Sequence, residues 1–245
     1  MACVVYVVHR VEPLPKGAEE RGTIALEVFT RQFRALRRAG ITFVEMRSLL
    51  AAVQAGEVLR GRTAVLTFDD GDASILEHAF PVLEQNRVPF TVFVPAGLMG
   101  QTSGLYAKKG GKPHRHLGAD ELKALVASGL AEIGAHGHGH VALTGLGPAE
   151  LERELSGARA NLENALGAPV RYLAYPYGKA DDALVGAVKR SGYELGFTTR
   201  KGRISSGRAD RWRLPRVNWG RKATFLGLLR FHLVPGFLRS PFGGK

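Results

Sequence analysis

Short apolar runs alternate with longer stretches in which apolar positions recur at helical spacing. "VVYVV" (4–8), "TFVEM" (42–46), "TAVLTF" (63–68), "FTVFV" (90–94), "AEIGA" (131–135), "RYLAY" (171–175) and "ELGFTT" (194–199) are short and read as strands, 63–68 most clearly, being apolar, β-branched and aromatic. Between them, residues 27–39 carry Phe29, Phe33 and Leu36 at i, i+4 and i+7, and Gly40 suits the position after a helix end. Ser48 is placed to cap a short helix through Ala55. Residues 73–86 read as helical with Pro81 as a kink or stop, and helices are expected from Asp120 to about 128, over 148–166 and over 181–191. Only 97–118, glycine-rich and basic, breaks the rhythm; it reads as a long loop of the kind that borders active sites. Repeated strand–helix units predict an α/β fold, a largely parallel sheet or a barrel. Sites in such folds collect at the carboxyl ends of the strands.

Polar residues cluster at those strand ends. Asp69 and Asp70 follow "TAVLTF", where neighbouring like charges disfavour each other's ionised form unless a cation is near. His136, His138 and His140 follow "AEIGA", Pro176, Tyr177 and Gly178 follow "RYLAY", and His9 follows "VVYVV". A carboxylate and two imidazoles suit a divalent metal, zinc above all, and leave a position for water. The spacing does not choose among the histidines. His136 and His140 share a side on a helical turn, whereas all three share a side on an extended segment.

Charge adds one constraint. The net charge is +12, from 34 Lys and Arg against 22 Asp and Glu, which favours an anionic partner and would suit a phosphate-bearing substrate. The basic residues are scattered, with no nucleic-acid motif, so no nucleic acid is expected as a partner, and no protein partner either. The single Cys3 excludes a disulfide framework and reads as a core thiol. "ACVVYVV" is too short to span a bilayer and lacks a basic n-region, which gives the expectation of a cytoplasmic protein, free or at the inner membrane surface. The basic, apolar tail 221–245 would pack on the body of the fold or contact an anionic membrane surface.

"TFDDG" at Thr67–Gly71, "GAHGHGHVAL" at 134–143, "AYPYG" at 174–178 and "VVHRVEP" at 7–13 together resemble the motifs of the NodB-homology polysaccharide deacetylases, carbohydrate esterase family 4. The resemblance covers about residues 4–220 and implies one catalytic domain over 1–220, folded as a deformed (β/α) barrel. It implies Asp69 as catalytic base, Asp70, His136 and His140 as metal ligands with His138 between them, and the backbone N–H of Tyr177, after Pro176, at the oxyanion. It implies hydrolytic removal of an N-acetyl group from a sugar in a polysaccharide, oligosaccharide or glycolipid precursor. The competing readings are a deacylase or deformylase of another small amide and a silent glycan-binding homologue.

The chain departs from the family pattern at three places. Gly137 replaces the motif's Ser or Thr. Ala174 replaces its Arg, whose charge Arg216 could supply from another strand, with Asp210 as the accompanying acid. The late "L-x-H" motif that carries the general-acid histidine is not evident, which leaves His9, preferred, or His232. Tyr175, Tyr177, Trp212 and Trp219 are candidate sugar-stacking walls, Tyr177 and Trp219 foremost, while His114 and His116 read as members of a solvated loop.

Overall fold

The computed structural model describes residues 2–15, 18, 20, 22–105 and 112–233. Strand β1 (Ala2–Val8) is followed by the short β2 (Arg10–Glu12) and β3 (Thr23–Ala25), helix α1 (Leu26–Arg38), β4 (Thr42–Phe43), helix α2 (Met46–Gln54) and β5 (Arg62–Phe68). Helix α3 (Phe80–Gln85), β6 (Phe90–Val94), the small strands β7 (Thr102–Ser103) and β8 (His114–Arg115), helix α4 (Ala119–Ala127) and β9 (Ala131–Ala135) come next. Helices α5 (Pro148–Glu152) and α6 (Ala158–Leu166), β10 (Tyr172–Ala174), α7 (Asp182–Arg190), β11 (Leu195–Phe197), β12 (Val217–Asn218) and α8 (Phe225–Leu233) complete the order. The principal sheet has the order β11-β10-β9-β6-β5-β1-β12, with β4 on β5, and all its pairings are parallel. It is a curled, incompletely closed barrel of the NodB type, surrounded by helices.

Alternation along the strands builds two cores. Val4, Tyr6 and Val8 of β1, with Ala64, Leu66 and Phe68 of β5, face the surrounding helices. Cys3, Val5, Val65, Phe93 and Phe197 point the other way and fill the inside of the curl, together with Met46, Leu49, Leu50 and Val53 of α2. Each fully buried side chain of this size contributes about 1.5–3 kcal/mol. With the interior packed by these groups, the carboxyl ends of the strands become the place where polar residues gather.

Three elements differ from the sequence expectation. "TFVEM" is a strand only at Thr42–Phe43; after the Val44 N–H pairs with the Ala64 carbonyl at 2.9 Å, Glu45 takes the N-cap position of α2 that Ser48 was expected to hold. Helix 73–86 is a π turn, Ile75–Ala79, running into α3, so Pro81 sits in the first turn after a change of register and its missing N–H costs little. The long loop is partly structured: β7 and β8 pair antiparallel within it, while residues 106–111 lie outside the described residues. Helix α8 packs Leu228 and Phe231 into the outer core, and the rest of the tail, 234–245, lies outside the described residues. Among the described residues, no helix is long and apolar enough to cross a membrane.

Candidate active site

The β1–β5 ladder runs one step past the strand end, with the Asp69 N–H bonded to the Val8 carbonyl at 2.9 Å. The chain then reverses through Asp70 (φ 71°) and Gly71 (φ 61°), so the two neighbouring carboxylates point in different directions. A Cβ at Gly71 would stand 3.3 Å from Val94, which keeps this turn tight. Both aspartates are buried.

Asp69 is gripped by Arg216. The guanidinium donates from Nη1 to Oδ1 at 2.6 Å and from Nη2 to Oδ2 at 2.7 Å, and its Nε donates to the Thr198 carbonyl at 3.1 Å. Burial, the largest single influence, would raise the Asp69 pKa, but the Arg216 charge and hydrogen bonds, together with the His136 and His9 imidazoles, more than offset it and hold the carboxyl below the usual range. Arg216 is itself buried and turned onto Asp69, where it supplies the charge missing at Ala174 and serves as a positioning residue. The expected companion acid, Asp210, instead bonds the Trp212 N–H at 3.0 Å and Arg213 at 2.9 Å. Ala174 packs in the interior cluster with Phe93, over whose ring the Arg216 guanidinium lies at 5.6 Å, and its carbonyl accepts from His136.

Asp70, His136 and His140 converge. Asp70 Oδ1 lies 3.1 Å from His140 Nε2 and 3.5 Å from His136 Nε2, and the three donor atoms fall within 4.8 Å of one another. Ligands about 2.0–2.1 Å from a tetrahedral ion stand about 3.3–3.4 Å apart, so the spacing and the donor set fit a divalent metal. The tautomer of His136 agrees: a carbonyl can only accept, so Nδ1, 2.7 Å from the Ala174 carbonyl, carries the proton and Nε2 keeps its lone pair. Burial pushes the His136 pKa down to about 4, partly opposed by Asp69, so the ring is neutral near pH 7. Burial works against ionised Asp70 too, yet the His140 hydrogen bond and the neighbouring imidazoles hold its carboxyl well below the usual range.

The segment 136–140 is neither helical nor extended, which settles the question the spacing left open. Gly137 (φ 73°) and His140 (φ 55°) both use the left-handed region, turning His136 and His140 onto Asp70. His138 turns away; its ring closes over Gly97, where a Cβ would come within 2.7 Å of His138 Nε2. Glu154 holds this loop, accepting the His138 N–H at 2.7 Å and the Gly139 N–H at 3.0 Å. A Cβ at Gly137 would stand 2.9 Å from Glu154 Oε2, which explains the loss of the motif's Ser or Thr. Glu154 was missed by sequence reasoning. Its signal is a charged residue on the buried face of 148–166, beside Leu151, Leu155, Ala158 and Leu162.

The expected solvated histidines are in fact buried. His116 Nδ1 is 2.7 Å from the Asp70 carbonyl and its Nε2 is 2.6 Å from Ser103 Oγ. His114 Nε2 is 3.6 Å from Asp72 Oδ2, and Arg10 Nε is 3.1 Å from the same oxygen. Main-chain bonds from Leu117 to Gly71 (2.7 Å) and from Ala73 to Arg115 (2.9 Å) strap this segment onto the aspartate turn. Its high content of Gly and Lys concealed that pairing.

Pro176 is buried, and Tyr177 is exposed at 52% with φ 60°, its ring 5.1 Å from that of His140. Trp219 is no sugar platform: it is fully buried, donates to Gln32 Oε1 at 2.6 Å and packs against Tyr6 and Phe29. Tyr175 is buried as well and bonds the Trp212 carbonyl at 2.8 Å. Of the two late-acid candidates, half-buried His9 follows β1 and acts electrostatically on both Asp69 and Asp70. His232 bonds Tyr6 Oη at 3.0 Å and is pushed down to about 4 by burial and by Arg62 and Arg203; Arg62 begins β5, at the end opposite to the aspartates.

The model of the family Polysaccharide deacetylase matches residues 57–196. The poly-β-1,6-N-acetyl-D-glucosamine N-deacetylase of Staphylococcus epidermidis is 26% identical over 201 residues, 77% of this chain and 65% of that protein. YxkH of Bacillus subtilis is 25% identical over 183 residues, 74% of this chain and 55% of that protein. The chain therefore spans somewhat more than half the length of these curated relatives. The structure of IcaB from Ammonifex degensii superposes with a TM-score of 0.81 at 28% identity, covering 95% of this chain and 97% of that one. The deacetylase PplD of Streptococcus pyogenes shares the fold, with a TM-score of 0.80 at 20% identity, covering 95% and 98%.

Proposed function

Since the chain belongs to the polysaccharide deacetylase family, we propose that it is a metal-dependent hydrolase that removes the acetyl group from an N-acetylated sugar in a polysaccharide, oligosaccharide or glycolipid precursor. The observation that carries this reading is the pairing of an Arg-held, ionised Asp69 with the convergent Asp70, His136 and His140. The activity of the staphylococcal relatives, poly-β-1,6-N-acetyl-D-glucosamine N-deacetylases, supports a poly-N-acetylglucosamine or its precursor as the substrate class.

Asp70, His136 and His140 would hold the metal, and zinc suits two imidazoles and a carboxylate. Such an ion supplies Lewis acidity, lowering the pKa of water and polarising an amide carbonyl. Asp69 accepts the proton of the attacking water; Arg216 keeps it ionised and fixes both its oxygens. The turn at Tyr177 presents its backbone N–H to the oxygen that becomes negative as the carbonyl carbon turns tetrahedral. His9, protonated, donates to the departing nitrogen, so that the C–N bond breaks to a neutral amine and not to an amide anion. The products are the free amino sugar and acetate.

The test is acetate release from N-acetylglucosamine oligomers by zinc-loaded protein, with Asp69→Asn alongside. The variant should lose about 10²–10⁴-fold in kcat. A wild type that releases no more acetate than Asp69→Asn on any N-acetyl sugar would overturn the reading.

A further inference from the structure

Beside His9 the fold opens a cavity of about 680 Å³, separate from the three-ligand cluster and lined by β12, α8 and the loop between them. Among the described residues, four cations line it, Lys201, Arg221, Lys222 and Arg230, and no carboxylate does. Lys201 and Arg230 stand on the same ring, that of the buried Phe231, at 5.5 and 5.1 Å from its centroid. Among the described residues, Lys201, Lys222 and Arg230 enter no ion pair. The like charges of Lys201, Lys222 and Arg230, brought to one concavity, repel one another, and the arrangement is relieved by an anion. The amino end of α8 adds to the same field, since Thr224 and Gly227 line the cavity and the Thr224 hydroxyl accepts the Gly227 N–H at 3.1 Å.

We infer that this cavity is an anion subsite and that the substrate is a phosphorylated N-acetyl sugar, its acetamido group at Asp69 and its phosphate among Lys201, Lys222 and Arg230. The inference rests on the deacetylase reading for the sugar and on the cavity alone for the phosphate. His9 joins the two regions: it lines the cavity and acts electrostatically on Asp69 and Asp70. The volume leaves room for a phosphate together with part of what it is attached to. The net charge of +12, which in the sequence suits a phosphate-bearing substrate without placing it, has four of its cations at this cavity. A phosphate of this kind occurs on a lipid-linked sugar or within a phosphodiester-linked glycan, and the cavity recognises the chemistry they share.

The experiment compares N-acetylglucosamine 1-phosphate with methyl N-acetylglucosaminide, by acetate release and by calorimetric binding, for wild type and for the double variant Lys201→Glu, Lys222→Glu. The wild type should prefer the phosphate roughly tenfold or more in kcat/KM, and the ratio should collapse in the double variant. Sodium chloride should raise KM for the phosphate and not for the glycoside. Equal use of both compounds, with the same ratio in the variant, overturns the subsite and leaves the deacetylase reading intact. Binding of the phosphate that depends on Lys201 and Lys222, without acetate release from either compound, sustains the subsite and overturns the deacetylase reading. A lipid-linked sugar phosphate and a phosphodiester-linked oligosaccharide are then compared directly. The higher kcat/KM assigns the source, and a value for both no better than that of the neutral glycoside counts against the subsite.

Discussion

His116 donates from Nδ1 to the main-chain carbonyl of Asp70, 2.7 Å away, and so fixes the backbone of a residue whose side chain faces the metal position. The carbonyl can only accept, which sets the tautomer: Nε2 is the acceptor, and Ser103 Oγ, at 2.6 Å, donates to it. Asp70 stands in the left-handed region at φ 71°, a conformation that costs a non-glycine residue about 1–2 kcal/mol and that persists because its surroundings impose it. Replacing His116 by Ala removes this restraint and leaves a buried carbonyl without its donor. The zinc affinity of the folded protein should fall by about 10–100-fold, measured by competition with a chelator, with kcat at saturating zinc falling less. An unchanged zinc affinity would show that Asp70 holds its geometry without His116.

Arg216 and Asp69 form the second coupled pair. With the guanidinium present, burial is overcome and the Asp69 pKa lies below the usual value. Arg216→Met leaves burial opposed only by the His136 and His9 imidazoles, so the carboxyl pKa rises. The acid limb of the kcat/KM profile should therefore move to higher pH. The stability sign follows from the same shift. A depressed folded-state pKa contributes stability that is present above the unfolded value near 4 and is lost as pH falls through the folded value. The variant should lose that acid-side behaviour and, because a buried charge is left without its partner, should unfold about 3–5 kcal/mol more easily near pH 7. Denaturant titrations at pH 4 and pH 7 check both statements.

Gly137 is held to glycine by two independent observations, φ 73° and the 2.9 Å that would separate a Cβ from Glu154 Oε2. Gly137→Ser, which restores the residue common in the family, should here impair the protein. The backbone penalty of about 1–2 kcal/mol is joined by displacement of the carboxylate that holds the His138 and Gly139 N–H groups. Zinc content after gel filtration should drop with the loss of stability. A variant as stable and as zinc-rich as the wild type would show that the loop has slack which the distances do not suggest.

What the sequence revealed and what it concealed divide along physical lines. The strand positions and the gathering of Asp69, Asp70 and three histidines at strand ends were legible because alternation and strand-end placement are local properties, while the choice of His136 and His140 came from the motif resemblance. The Arg216–Asp69 pair joins residues far apart in the chain; Arg216 was named only as a substitute for the motif Arg missing at Ala174, since nothing local in "DRWRLPRVNW" marks the arginine that turns inward. Trp219 was misread because an aromatic near a strand end can face either side, and one residue of register decides which. His116 was misread because a loop rich in Gly and Lys looks solvated even where two short segments of it pair as strands beside that residue. Glu154 escaped notice because a single carboxylate on a helix is usually solvent-facing, and only the fold shows which N–H groups it reaches.

Glu154→Gln isolates that last interaction. The amide keeps the shape and one acceptor oxygen, but it loses the charge that strengthens the bonds to the His138 and Gly139 N–H groups at 2.7 and 3.0 Å. The cost should be about 1–3 kcal/mol in stability, because one buried group is left poorly satisfied. Glu154 touches neither Asp69 nor the three-ligand cluster directly; it acts through the loop that carries His140. Zinc affinity should therefore fall, while the pH of the acid limb, which belongs to Asp69 and Arg216, stays where it is. A shift of that limb in Glu154→Gln would mean that the histidine loop and the Asp69 pair do not behave as separate units. The same measurement on Arg216→Met provides the contrast, moving the limb through a residue that touches Asp69 itself.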